Sequence, residues 1–193
     1  MVEKEILTFK TPRNFETWLK KNHARSKGIW VRFLKKAHKE STGEKSVNYR
    51  EALDVALCYG WIDSQANSLD DISYIQRFSP RGRKSMWSKI NREHVARLIK
   101  EKRMTPAGHQ AVAAAKKDGR WAGAYDGSAT MKIPADFLLE LSKDKKAKAF
   151  FDTLNRANVY AIGYRLQTAK KPETRAKRVA ALLAMLRRGQ KLH

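Results

Sequence analysis

The side chains best spaced to act together lie between residues 58 and 91. Asp63 and Gln65 stand two apart in a run that begins a strand at Trp61-Ile62-Asp63. Alternation along a strand puts them on one side. Arg77 and Ser79 stand two apart on the returning strand, residues 72–78, after a turn over residues 67–71. Paired across the hairpin, Asp63 and Arg77 would be held by a charge-assisted hydrogen bond. Two outcomes are open. One is a polar pocket wall in which Asp63 acts as general base and Arg77 and Arg81 hold an anionic substrate. The other is an ion pair that only stiffens the sheet, since structural pairs perturb proton affinities too.

The next stretch, Arg81-Gly82-Arg83-Lys84-Ser85, leads into a helix expected from about Trp87, with Asn91 in its first turns. Backbone N–H groups at a helix start carry partial positive charge, and arginines add two-toothed donors. Arg81, Arg83, Ser85, Trp87 and Asn91 therefore complete an anion-site candidate, against the alternative of a solvated turn. The stretch lacks the GxxxxGK[ST] spacing of a nucleotide-binding loop. A second cationic feature closes the chain: Lys170, Lys171, Arg175 and Arg178 precede an apolar stripe of Val179, Leu182 and Leu186, and Glu173 is the only acid from Arg165 onward. Such a basic amphipathic helix can lie on phosphates or on an anionic membrane. It can equally dock through its stripe and leave its cations in water.

Other chemistry lacks its residues. The five histidines show no HExxH spacing, no serine sits in GxSxG, and one cysteine gives neither a disulfide nor a zinc pattern. No cofactor and no metal site is expected. Asp70 and Asp71 read as turn formers, so an enzyme reading rests on Asp63.

The elements that must position these residues are locally marked. Residues 6–9 read as a strand, and Thr11-Pro12 caps and starts a helix bearing Phe15, Trp18 and Leu19. Residues 29–34 form an apolar strand, and residues 35–47 a polar mobile loop. Asn48, with Glu51 three on, opens a helix that Gly60 stops. Ser85 or Ser88 caps the helix after the cationic loop, and Thr105-Pro106 starts another. Glycines, prolines and small residues between 119 and 134 suggest a boundary. Trp121 and Tyr125 would dock this linker on the first part. Beyond it, four helical runs carry Phe150, Phe151, Tyr160, Leu182 and Leu186 as a core. The expectation is α+β: a small, mainly antiparallel sheet with packed helices over residues 1–126, then a helical segment over residues 127–193.

A chain of 193 residues suffices for one good core or a domain with a smaller companion. Its net charge of +22 attracts polyanions, whether nucleic acid without sequence preference, anionic lipid or an acidic protein partner. A bare solubility bias is the alternative. No apolar leader and no run long enough to span a bilayer is visible, and a reducing cytoplasm is the expected location.

The closing stretch from Ala169 to Arg178, with Met185-Leu186 and Gly189 after it, resembles the signature of the YdeI/OmpD-associated, or bacteriocin-protection, family. Tyr59-Gly60-Trp61-Ile62-Asp63, the run Arg77-Phe78-Ser79-Pro80-Arg81 with Ser85, Trp87-Ser88 and Asn91, and Met104-Thr105-Pro106-Ala107-Gly108 are similar to its other segments. Ser64 stands where the family commonly has glycine. The resemblance implies a small bacterial protein tied to bacteriocin protection or porin association, with no established reaction. The sequence thus favours a binding protein for an anionic partner, in stress or antimicrobial-peptide tolerance, over a small enzyme built on Asp63.

Overall fold

The computed structural model describes residues 5–193. The chain divides into two compact units: residues up to Ser85 with Glu93–Trp121, and Met86–Arg92 with Ala122–His193. The fold is α+β, with a mostly antiparallel four-stranded sheet in the first unit.

In the first unit, β1 (Ile6–Thr8) leads to helix α1 (Pro12–Asn22), capped by the Thr11 hydroxyl and started by Pro12. Strand β2 (Ile29–Leu34) follows. Residues 35–47, expected as loop, contain a short helix α2 (Lys36–Thr42). It buries no side chain, so apolar periodicity could not announce it. Gly43, in left-handed conformation, ends it, and Lys36 pairs with Glu40 one turn on. Helix α3 (Tyr49–Cys58) begins with a full capping box between Asn48 and Glu51. The hairpin is β3 (Trp61–Ser68) and β4 (Ser73–Pro80). Helix α4 (Lys89–Lys100), which belongs to this unit from Glu93 on, starts later than Trp87 because Ser88, not Ser85, accepts the Asn91 N–H. Helix α5 (Pro106–Lys117) uses the Thr105 cap and Pro106. Gly108 brings α5 against α3: a Cβ there would sit 2.3 Å from the Cys58 carbonyl oxygen.

Sheet order is β1-β2-β4-β3, with β1 parallel to β2 and the other pairs antiparallel. Directly opposed residues share a face. One face therefore carries Ile29, Val31, Phe33, Trp61 and Phe78, and Phe15 of α1 meets Phe78 edge-on at 5.6 Å. Trp18 meets Trp61 in the same way at 5.8 Å. The other face carries Trp30, Ile75 and Arg77. Burial on both faces explains the near-continuous apolar run of β2.

The second unit holds α6 (Ala135–Ser142), α7 (Lys145–Phe151), α8 (Arg156–Gln167) and α9 (Pro172–Arg187). Phe137, Leu141, Ala147, Ile162, Leu166, Leu182 and Leu186 form its centre. Phe150 and Phe151 flank that centre half-buried, and Tyr160 lies outside it. Tyr125 belongs here, edge-on to Tyr164 at 4.8 Å, whereas Trp121 stays with α5 through a hydrogen bond to the Ala115 carbonyl. Of the two aromatics expected to dock the linker, Trp121 falls in the first unit and Tyr125 in the second.

Candidate functional site

The hairpin separates the residues expected to pair. Phe78 and Trp61 are the large apolar groups of β4 and β3, and both turn to the helix-covered face. Asp63 stands directly opposite Phe78 and shares that face. Arg77, one residue before Phe78, projects from the other. No Asp63–Arg77 pair forms. Asp63 instead accepts the Tyr49 hydroxyl from α3 at 2.9 Å and the Gln76 side-chain amide at 3.3 Å. The Gln76 amide also donates to the Ser64 carbonyl at 3.0 Å.

A register shift between Asp63 and Ala66 inserts an extra residue in β3. This bulge moves Gln65 off the face of Asp63 and onto that of Arg77. Gln65 and Arg77 line a cleft of about 790 Å³ with Trp30, Arg25 and Lys27. The Arg77 guanidinium donates to the Lys27 carbonyl at 3.2 Å, which fixes its head at the cleft wall. Two of the site residues expected from sequence therefore meet, in company that spacing alone did not reveal.

In the cationic loop, Ser85 accepts the Gly82 N–H on its hydroxyl, and its carbonyl accepts the Arg120 guanidinium at 3.0 Å. Arg120 is itself held by Asp118 at 2.7 Å. Ser79 is half-buried opposite Ile62, and the Arg81 N–H donates to the Gly60 carbonyl. Arg83 and Lys84 are exposed. The start of α4 offers few open donors. Lys89 N–H goes to the Tyr125 carbonyl, Asn91 N–H to the Ser88 hydroxyl and Arg92 N–H to the Ser88 carbonyl. Trp87 is buried. The Lys89 ammonium lies 2.6 Å from Asp126, whose carboxyl is held below its ordinary range first by Lys89 and then by Gln167. The three N–H bonds of Lys89, Asn91 and Arg92 take up backbone donors at the start of α4, so part of this helix start is used as a structural cap.

The basic tail divides. Arg175 grips both oxygens of Asp136 at 2.6 and 2.7 Å and donates to the Leu166 carbonyl at 2.8 Å. Arg178 donates to the Arg165 carbonyl and to the Thr168 hydroxyl. Both arginines close the C-terminal turn of α8, where carbonyls lack helical partners. Lys170 and Lys171 remain exposed.

One cluster escaped sequence reasoning. Asp54 of α3 takes Arg97 on both oxygens at 2.6 Å and the His94 ring at 3.0 Å. Arg97 also bridges to Glu101, one turn on. Only that Arg97–Glu101 spacing is legible locally; Asp54 lies forty or more residues away. Cys58 is buried and its thiol is pushed up to about 11, so it stays protonated and unreactive at neutral pH. Among the described residues, no group of three or more His, Cys, Asp or Glu is placed to hold a metal ion, and no helix is long and apolar enough to cross a membrane.

Residues 7–111 match the family model of a domain of unknown function (DUF8412), and residues 130–189 match that described as bacteriocin-protection, YdeI or OmpD-associated. The hairpin segments that resemble the second family lie inside the first match. No curated protein and no solved structure matches the chain. Over more than half its length, the protein belongs to the DUF8412 family, and its residues 130–189 are a bacteriocin-protection, YdeI- or OmpD-associated domain.

Proposed function

We propose that the protein is a cytoplasmic binding protein that engages an anionic polymer, nucleic acid first, through exposed cations. The role in antimicrobial-peptide tolerance is carried over from the description of its second domain. The observation that supports this reading is how the carboxylates are distributed. Asp54, Asp118, Asp126, Asp136 and Asp144 are all engaged in internal ion pairs. Arg83, Lys84, Lys170, Lys171 and Lys177 are exposed and make no ion pair among the described residues. With a formal charge of +22, the uncompensated cations dominate the surface potential. The rival arrangement, Asp63 as general base beside Arg77, has lost its geometry, because the two side chains leave opposite faces of the sheet.

Binding of a labelled duplex at two salt concentrations tests the reading. Affinity independent of sequence should fall with log salt at a slope of roughly −0.9 per phosphate contact. Replacing Lys170 and Lys171 by alanine should make the slope shallower without lowering the melting temperature. No binding at low salt would remove nucleic acid and leave an acidic protein or lipid as partner.

A further inference from the structure

Helix α8 presents a second concave surface, on the side away from its buried Ile162 and Leu166. Arg156, Tyr160 and Tyr164 recur every fourth residue, as do Ala157, Ala161 and Arg165 in the adjacent row. Residues four apart share a face. The two alanines leave the floor low between the tyrosine rings and the guanidinium groups, and the result is a groove of about 610 Å³ lined by all six. Tyr160 and Tyr164 lie with ring centroids 6.3 Å apart, and Tyr125 braces Tyr164 edge-on at 4.8 Å. Neither phenol makes a hydrogen bond among the described residues, although Tyr164 is 36% exposed. Burial, and then Tyr164, push the Tyr160 hydroxyl above its ordinary range.

The groove's charged side chains, Arg156 and Arg165, are both cationic. Arg156 is oriented by a hydrogen bond from its Nε to the Ser128 carbonyl, which leaves its terminal nitrogens outward. Arg165 is exposed, and its side chain makes neither ion pair nor hydrogen bond among the described residues. Among the described residues, no acidic side chain lines the groove. Aromatic faces between unpaired guanidinium groups suit a ligand that alternates flat rings with negative charge. The ring spacing of 6.3 Å is close to two of the ~3.4 Å steps of a nucleic-acid strand. A duplex hides its base faces, and a lipid headgroup has none.

We propose that this groove binds single-stranded nucleic acid, with Tyr160 and Tyr164 stacking on bases and Arg156 and Arg165 meeting the neighbouring phosphates. The inference rests on the polyanion reading for its charge attraction and adds a strand preference that charge alone does not produce.

The test uses the full chain with a labelled oligothymidylate and a duplex of equal length, in fluorescence anisotropy. Tyr164→Ala should weaken single-strand binding roughly 5- to 150-fold, the usual loss for one stacked base, and leave duplex binding unchanged. Tyr164→Phe, which keeps the ring, should bind like the parent. Arg165→Ala, at an exposed position, should reduce the salt slope by roughly 0.7 for the single strand. Unchanged single-strand affinity in both Tyr164→Ala and Arg165→Ala, with duplex binding intact, would overturn the groove and spare the polyanion reading. Loss of both ligands in the parent protein at low salt would remove both. Tyr164-dependent binding to phosphatidylserine vesicles without single-strand binding would also overturn it, in favour of a lipid surface.

Discussion

Arg97 of the first unit and the pair Arg175 and Arg178 of the second do different work. In the first, Arg97 is held entirely by carboxylates: Asp54 from α3 and Glu101 from the end of its own helix, with Arg103 reaching Glu101 at 3.2 Å. These contacts bring α3 and α4 together and neutralise charge as they do so. In the second, Arg175 combines a carboxylate with a backbone carbonyl, and Arg178 binds only a carbonyl and a hydroxyl. A guanidinium on a carbonyl satisfies an open helix end and keeps its full charge. The second unit can therefore use arginines as structural clamps and still remain strongly basic. A sequence rich in arginine is thus not by itself a map of a binding surface.

If the bundle depends on its apolar centre more than on these clamps, the largest effect should come from Leu182. It is 3% exposed and packs in the core of α6–α9. Leu182→Ala should cost about 2–5 kcal/mol, the range for a buried leucine whose cavity does not fully collapse. Thermal melts give the value. A loss no larger than that from the clamp variants below would mean that polar contacts, not burial, hold this unit.

These outcomes also show how far local sequence carries the fold. Thr11-Pro12, Asn48 with Glu51, Thr105-Pro106 and Pro172 marked their helices because a cap is a contact within three residues. The expected Asp63–Arg77 pairing missed the face of Asp63, although the apolar pattern carries it. Trp61 and Phe78 both demand burial, which places Asp63 beside Trp61 and sets Arg77 on the reverse side. The bulge at Ser64 and Gln65 was not legible, since it is a property of the pairing between strands. For the same reason the Asp54–His94–Arg97 cluster and the inward turn of Arg175 and Arg178 could not be read. Their partners are fixed by packing of helices distant in sequence, and basic residues near one another look alike whether they face water or a carbonyl. Tyr160 shows the converse. Its helical spacing suggested a core residue, but Ile162 and Leu166 fill the buried stripe of α8 and leave it on the groove.

The carboxylate-centred contact in the first unit is the next to break. Asp54→Ala removes the shared acceptor of Arg97 and His94, and Asp54's side chain is only 15% exposed. The expected loss is about 1.5–3 kcal/mol, the range for hydrogen bonds to charged groups. Chemical denaturation at neutral pH would measure it, and a loss indistinguishable from zero would show that α3 and α4 are held by their apolar faces alone.

A pH series sharpens the comparison inside the second unit. Arg175 holds the Asp136 carboxyl below its ordinary range. A carboxyl lowered by folding stabilises in full above its unfolded pKa of about 3.9 and loses that contribution as pH falls through the folded value. The stability gap between the parent and an Arg175→Ala variant should therefore narrow in acid. Arg178 meets no carboxylate among the described residues. Arg178→Ala should cost about 1–1.5 kcal/mol, and its gap should stay constant over the same range. Parallel narrowing of both gaps would mean that the two arginines act as one coupled network.

Arg187 should give the smallest effect, and it marks where the comparison ends. Its guanidinium lies 2.6 Å from Asp144, but the Arg187 side chain is 66% exposed and the contact is open to salt and water. Asp144 also caps α7, where its carboxylate accepts the Ala147 N–H at 3.1 Å. That backbone hydrogen bond is the first cause of the lowered Asp144 carboxyl, and Arg187 only the second. Arg187→Ala should therefore leave both the cap and the melting temperature in place at low and at high salt, whereas Asp144→Ala removes the cap. A loss for Arg187→Ala that matches Arg178→Ala and vanishes in high salt would overturn this ranking. It would place surface ion pairs beside the carbonyl clamps as supports of the bundle, and the exposed cations of α9 would then have to be counted as structural before any is assigned to a ligand.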